Sequence, residues 1–170
     1  MRVLTVFGTR PEAIKLAPVV LAFADAHAVE HAMCVTGQHR EMLDQVMEVF
    51  GLTPEFDLNI MKPGQSLTHI TTAVLNGLGR VIDEFQPDWL IVQGDTTTAF
   101  SGALAAFYRR VQVAHVEAGL RTGNILSPWP EEMNRKLLSQ LASVHFPPTE
   151  IAAKNLRREG VADDVQLVTG

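Results

Sequence analysis

Apolar residues in this chain fall into short dense blocks separated by longer amphipathic stretches. Arg2 to Gly8 (Arg-Val-Leu-Thr-Val-Phe-Gly) is apolar at nearly every position, as in a strand buried on both faces. Thr9 and Glu12 then stand at capping-box spacing, and Pro11 suits a first helical turn because its missing N–H has no partner there. The helix they open is expected to reach about Ala26. Its apolar positions (Ile14, Leu16, Ala17, Val20, Leu21, Phe23) are broad enough to require cover on several sides.

The alternation continues. His31 to Thr36 reads as a second strand, and Gly37-Gln38-His39-Arg40 leads into a helix that ends at Phe50, before Gly51. A short strand is expected at Phe56 to Leu58 and a loop at Asn59 to Gln65. Ser66 can cap a long helix with the stripe Leu67, Ile70, Val74, Leu78, Val81, Ile82, Phe85. Trp89 to Gln93 is the fourth strand, turned by Gly94-Asp95-Thr96-Thr97-Thr98 into a helix of small residues. Val111 to Val116 is the fifth. A loop with Trp129 between two prolines precedes a helix to about Ala142, its stripe being Met133, Leu137, Leu138 and Leu141. Val144 to Phe146 is a sixth strand, Thr149 caps another helix, and Val165 to Val168 is expected as a seventh strand.

Strands alternating with helices at this spacing predict a parallel, doubly wound α/β sheet of Rossmann-like type. Ligands of such sheets sit beyond the C-terminal strand ends, where strand order reverses. With the order 3-2-1-4-5, the reversal falls between strands one and four. Thr9-Arg10, Gly94-Asp95 and Glu117 follow strands one, four and five, so one cleft along one sheet edge is expected.

Composition narrows the chemistry. The 170 residues carry 14 Lys+Arg against 19 Asp+Glu, a net charge of −5 with no basic run, which argues against nucleic acid as a partner. No apolar run has membrane-spanning length and no leader-like segment opens the chain; together with a lone cysteine, Cys34, set in an apolar strand, this fits a reduced cytoplasmic setting. The first turn lacks G-x-G-x-x-G, and no P-loop pattern occurs. His27, His31, His69 and His145 show no ligand spacing, so no metal site is expected, and His115 reads as a core histidine.

What remains is a cleft with Arg10 and Lys15 on one side and Asp95, Glu117 and Glu131 on the other. Arg121 lies in the loop, and Arg135 sits one turn past Glu131. Cations suit a substrate phosphate, while paired carboxylates suit proton transfer or a positively charged sugar. Plainer readings exist: Lys15 as a solvated helix residue, Asp95 as a helix cap, Glu131 and Arg135 as an i,i+4 pair, Trp129 as a packing anchor. On the helix, Glu131 and Arg135 each precede a stripe residue by two positions and so point away from the stripe, toward solvent or an open cleft.

Five motifs decide the family resemblance. Val6 to Lys15 (Val-Phe-Gly-Thr-Arg-Pro-Glu-Ala-Ile-Lys), Thr36 to Arg40, Gly94 to Thr98, His115 to Thr122 and Ser127 to Arg135 resemble, in order, the bacterial non-hydrolysing UDP-N-acetylglucosamine 2-epimerases. That family has a glycosyltransferase-B-like two-domain architecture, and residues 1–170 resemble its N-terminal domain alone; the C-terminal nucleotide-binding domain has no counterpart here. The resemblance implies interconversion of UDP-GlcNAc and UDP-ManNAc for polysaccharide synthesis, without cofactor or metal, in a homodimer. It further implies Asp95, Glu117 and Glu131 as catalytic acids, Arg10 and Lys15 as substrate-binding cations, and Arg135 as a supporting arginine. Asp95 and Glu117 are also implied to contact substrate. Two positions depart from the pattern. Thr-Gly-Gln-His-Arg replaces the common Thr-Ala-Gln-His-Arg. Gly64 stands where some relatives carry an arginine for a second, activating UDP-GlcNAc, which counts against such activation.

Overall fold

The computed structural model describes residues 1–38 and 40–169. His39, the middle of the Gln38-His39-Arg40 cluster, and Gly170 lie outside the described residues. Six parallel strands form a single sheet: β1 (Arg2–Phe7), β2 (Glu30–Val35), β3 (Phe56–Asp57), β4 (Trp89–Gln93), β5 (Gln112–Val116) and β6 (Val144–Phe146). Their order is β3-β2-β1-β4-β5-β6, so the reversal lies between β1 and β4 as expected. The helices are α1 (Arg10–Ala24), α2 (Arg40–Phe50), α3 (Leu67–Phe85), α4 (Thr97–Tyr108), α5 (Glu131–Leu141) and α6 (Glu150–Arg158).

The apolar runs are dense because each strand packs on both faces. In β1, Leu4 and Val6 join one core with Val74 and Leu78 of α3 and Ala99 and Ala103 of α4. Val3 and Phe7 join a second core with Leu16 and Val20 of α1 and Leu43 and Val46 of α2. The period of two assigns alternate residues to opposite layers. The small residues of α4 let it nest between α3 and the sheet: a Cβ on Gly102 would touch both Leu78 and Val92. Cys34 is fully buried, and burial pushes its thiol up to about 12, so it packs as core. No described helix is long and apolar enough to cross a membrane.

Three expectations need correction. Val165 to Val168 is not a strand. A 3-10 turn spans Asp163–Val165, and the following chain makes one parallel bridge, Gln166 to His145. Leu167 and Val168 are exposed, because no layer covers them at this sheet edge. The α5 stripe also fails: Leu138 is buried, but Met133 and Leu137 are exposed, and the inner face carries Glu132, Asn134 and Ser139 instead. That helix meets the core through Leu138 and Leu141 alone and turns polar residues to the strand ends. Trp129 does not anchor its loop; it is 64% exposed.

His115, at 0% exposure, is the expected core histidine. Its Nε2–H donates to the Gly94 carbonyl at 2.7 Å, which ties β5 to the turn after β4. Burial pushes its pKa down to about 4, helped by the neighbouring His145 and Arg121, and only the Gly94 bond opposes this. The folded chain therefore holds His115 neutral, while the unfolded chain protonates it below pH ~6.5. Stability should fall as pH drops from about 6.5 to about 4, by on the order of 3 kcal/mol from this residue. Urea midpoints at the two ends of that window test this: His115→Gln should start less stable and lose less on acidification.

Candidate active site

The turn after β1 is built for close approach. A Cβ on Gly8 would fall 2.0 Å from the Thr36 hydroxyl and 2.7 Å from that of Thr98, so only glycine fits where β1, β2 and α4 converge. The chain enters α1 there, with Arg10 exposed in its first turn and Lys15 one turn on. The turn after β4 passes through Gly94 at φ +73° and delivers Asp95. Asp95 is not the cap of α4. That role belongs to Thr96, whose hydroxyl accepts the Ala99 N–H at 3.0 Å.

Glu117 follows β5 with φ +62°, a left-handed conformation rare for a residue with a side chain and costing about 1 kcal/mol or more. The surroundings hold it there. Both carboxylate oxygens accept from Lys15 Nζ, at 2.6 and 2.7 Å, and Oε2 also accepts from the Gln93 side chain at the end of β4. Strain of this kind at a strand end is a mark of function, since a connector alone would favour glycine.

Asp95 is gripped from α5. Arg135 donates to Asp95 Oδ2 from Nε at 2.8 Å, with Nη2 in ion-pair contact with the same oxygen at 2.6 Å, and the Asn134 amide donates to the Asp95 carbonyl at 2.8 Å. Arg135 also reaches Glu132 at 3.0 Å, so its pairing is i,i+3 with Glu132 and not i,i+4 with Glu131. The Glu132 side chain is fully buried and accepts the Thr122 and Gly123 N–H groups, each at 3.0 Å. Burial disfavours its charge, but those N–H groups and Arg135 outweigh it and hold its pKa below the usual range. Burial likewise works against the Arg135 charge, while Glu132 and Asp95 raise its pKa.

Glu131, freed from that pairing, is half-buried on the rim. With Arg10, Gln38, Thr96 and Thr97 it lines a pocket of ≈ 390 Å³. The structure therefore brings Arg10, Lys15, Asp95, Glu117, Glu131 and Arg135 to one edge of the sheet, as expected. Arg121 does not join them: it donates to Glu159 at 2.5 Å and to Ser139 at 2.7 Å, and so braces α6 against α5. Gln93, Asn134 and Glu132 were missed. Gln93 ends an apolar strand and carried a usable signal; Glu132 beside Glu131 carried none.

A family model described as UDP-N-acetylglucosamine 2-epimerase matches residues 21–170. The chain belongs to this family. It is 59% identical over 170 residues to the UDP-N-acetylglucosamine 2-epimerase of Escherichia coli K12, covering 100% of this chain and 45% of the relative. The crystal structure of UDP-GlcNAc 2-epimerase from Neisseria meningitidis bound to UDP-GlcNAc superposes with TM-score 0.97 at 54% identity, covering 100% of this chain and 46% of that one. The Methanocaldococcus jannaschii UDP-GlcNAc 2-epimerase, in complex with UDP-GlcNAc and UDP, does so with TM-score 0.94 at 37% identity, again over 100% and 46%. The chain thus spans under half the length of the epimerases it matches.

The burial contrast within α5 is testable. Glu132→Ala leaves two N–H groups without an acceptor and Arg135 with Asp95 alone, and should destabilise by about 3 kcal/mol. Glu131→Ala on the rim should change stability by less than about 0.5 kcal/mol. Chemical denaturation of the two variants side by side checks both.

Proposed function

We propose that the chain is the N-terminal domain of a non-hydrolysing UDP-N-acetylglucosamine 2-epimerase, which interconverts UDP-GlcNAc and UDP-ManNAc. The observation that carries this is the pair of ion contacts, Lys15–Glu117 across the strand-order reversal and Arg135–Asp95 beside it, in a chain from this family. Each acid is held by a cation on a different helix, with Arg10 and Glu131 on the rim of the adjoining pocket.

The chemistry fits such a cleft. The C2 proton of the sugar has no adjacent carbonyl, so it becomes acidic only as the C1–O bond to UDP weakens and positive charge builds at C1. Carboxylates around the ring stabilise that charge, and one of them accepts the C2 proton. UDP leaves with the C1–O electron pair, giving 2-acetamidoglucal. UDP then adds back at C1 as a proton returns to C2 from the opposite face. On this reading, Arg10 and Lys15 meet the negative diphosphate. Most of the nucleotide would be held by a second domain, so the isolated 170-residue chain should bind weakly and not turn over.

The test is product analysis with the longer protein carrying this domain. UDP-GlcNAc in heavy water should yield UDP-ManNAc with deuterium at C2. Asp95→Asn and Glu117→Gln should each lower kcat by about 100-fold or more. Free ManNAc with UDP would mean hydrolysis, and transfer to an acceptor would mean a glycosyltransferase; either result removes the proposal. Robust formation of UDP-ManNAc by the isolated chain would instead overturn only the expectation that this domain is inactive alone.

A further inference from the structure

One ionisable group lies directly under the cleft and takes no part in the charge pairs above. Glu12 is in the first turn of α1, between Arg10 and Lys15 in sequence, but its side chain is buried at 1% exposure. Its Oε2 accepts the N–H of Gly8 at 3.0 Å, the N–H of Thr9 at 2.8 Å and the Thr9 hydroxyl at 2.8 Å. Its Oε1 accepts the Thr96 hydroxyl at 2.6 Å. Burial pushes this carboxyl above its ordinary range, while the four donors pull it back.

The Oε2 contacts are those of a helix cap, and a cap needs nothing more. The Oε1 contact crosses to another element. Thr96 adjoins Asp95 and caps α4, so Glu12 joins the turn after β1 to the turn after β4. Those turns are the two banks of the cleft. Lys15–Glu117 spans α1 to the end of β5, and Arg135–Asp95 spans α5 to the end of β4. Between the β1 and β4 turns, the side-chain hydrogen bond among the described residues is Glu12 to Thr96.

We propose that Glu12 is a positioning residue of the site, setting the spacing between the α1 cations, Arg10 and Lys15, and the Asp95 carboxylate. This rests on the epimerase reading above. Substrate can still bind when the banks are slightly loose, but the alignment of C1, C2 and the acids cannot survive it. Losing the tie therefore acts on kcat more than on KM.

The experiment uses the longer protein that carries this domain, with circular dichroism and urea midpoints to confirm folding. Glu12→Asp is too short to reach Thr96, and Thr96→Val removes the donor together with the α4 cap, a loss that the urea midpoint reads separately. Each should lower kcat by about 10- to 100-fold with KM within about threefold. Glu12→Gln can accept the turn N–H groups and donate to Thr96, so it should keep most of kcat. The double variant Glu12→Asp with Thr96→Val should lose no more than the worse single one. If Glu12→Asp does not fold, Thr96→Val and Glu12→Gln decide the matter. An active wild type with unchanged kcat in Glu12→Asp or Thr96→Val overturns this role alone, as do single losses that multiply in the double variant. A wild type that forms no UDP-ManNAc overturns the epimerase reading and this role with it.

Discussion

The Arg135 guanidinium, shared between Asp95 and Glu132, is the contact on which the cleft depends. It joins a half-buried acid at the end of β4 to a buried acid of α5, and so adds a charged contact to the apolar ones that Leu138 and Leu141 make. A buried ion pair gains little net stability after its desolvation is counted. Its worth here is geometric: the Nε bond and the Nη2 contact hold Asp95 Oδ2, and the Glu132 contacts with Thr122 and Gly123 fix Arg135 in turn.

The same constraint shapes the whole edge. Acids packed at the strand ends repel one another unless each has its own counter-charge or donors. Glu117 has Lys15 and Gln93, Asp95 has Arg135, and Glu12 has two backbone N–H groups and two hydroxyls. Such an edge is preorganised: its dipoles and charges are already oriented before any substrate arrives, so little reorganisation is needed as charge develops. The left-handed backbone at Glu117 is part of that cost, offset by contacts from α1 and β4.

Much of the fold was legible in the chain. Both-face burial made the strands dense apolar runs, and the caps Thr9, Ser66 and Thr149 sit at the turns where helices begin. The errors share a cause. At Val165 to Val168 and along α5, the apolar letters were right but their cover was assumed, and cover depends on neighbours distant in sequence. Trp129 is the same error in a loop.

By itself, the sequence determined the order of elements, the reversal between β1 and β4, and therefore the edge on which Arg10, Asp95 and Glu117 emerge. Period and turn residues are local properties, and the handedness of crossovers does the rest. Only the tertiary structure decided which acid meets which cation. Lys15 and Glu117 are 102 positions apart, and Arg135 and Asp95 are 40 apart. Choosing between Glu131 and Glu132 for burial turns on a rotation of about 100° on one helix. No local pattern encodes that rotation, because the docking contacts of α5 settle it.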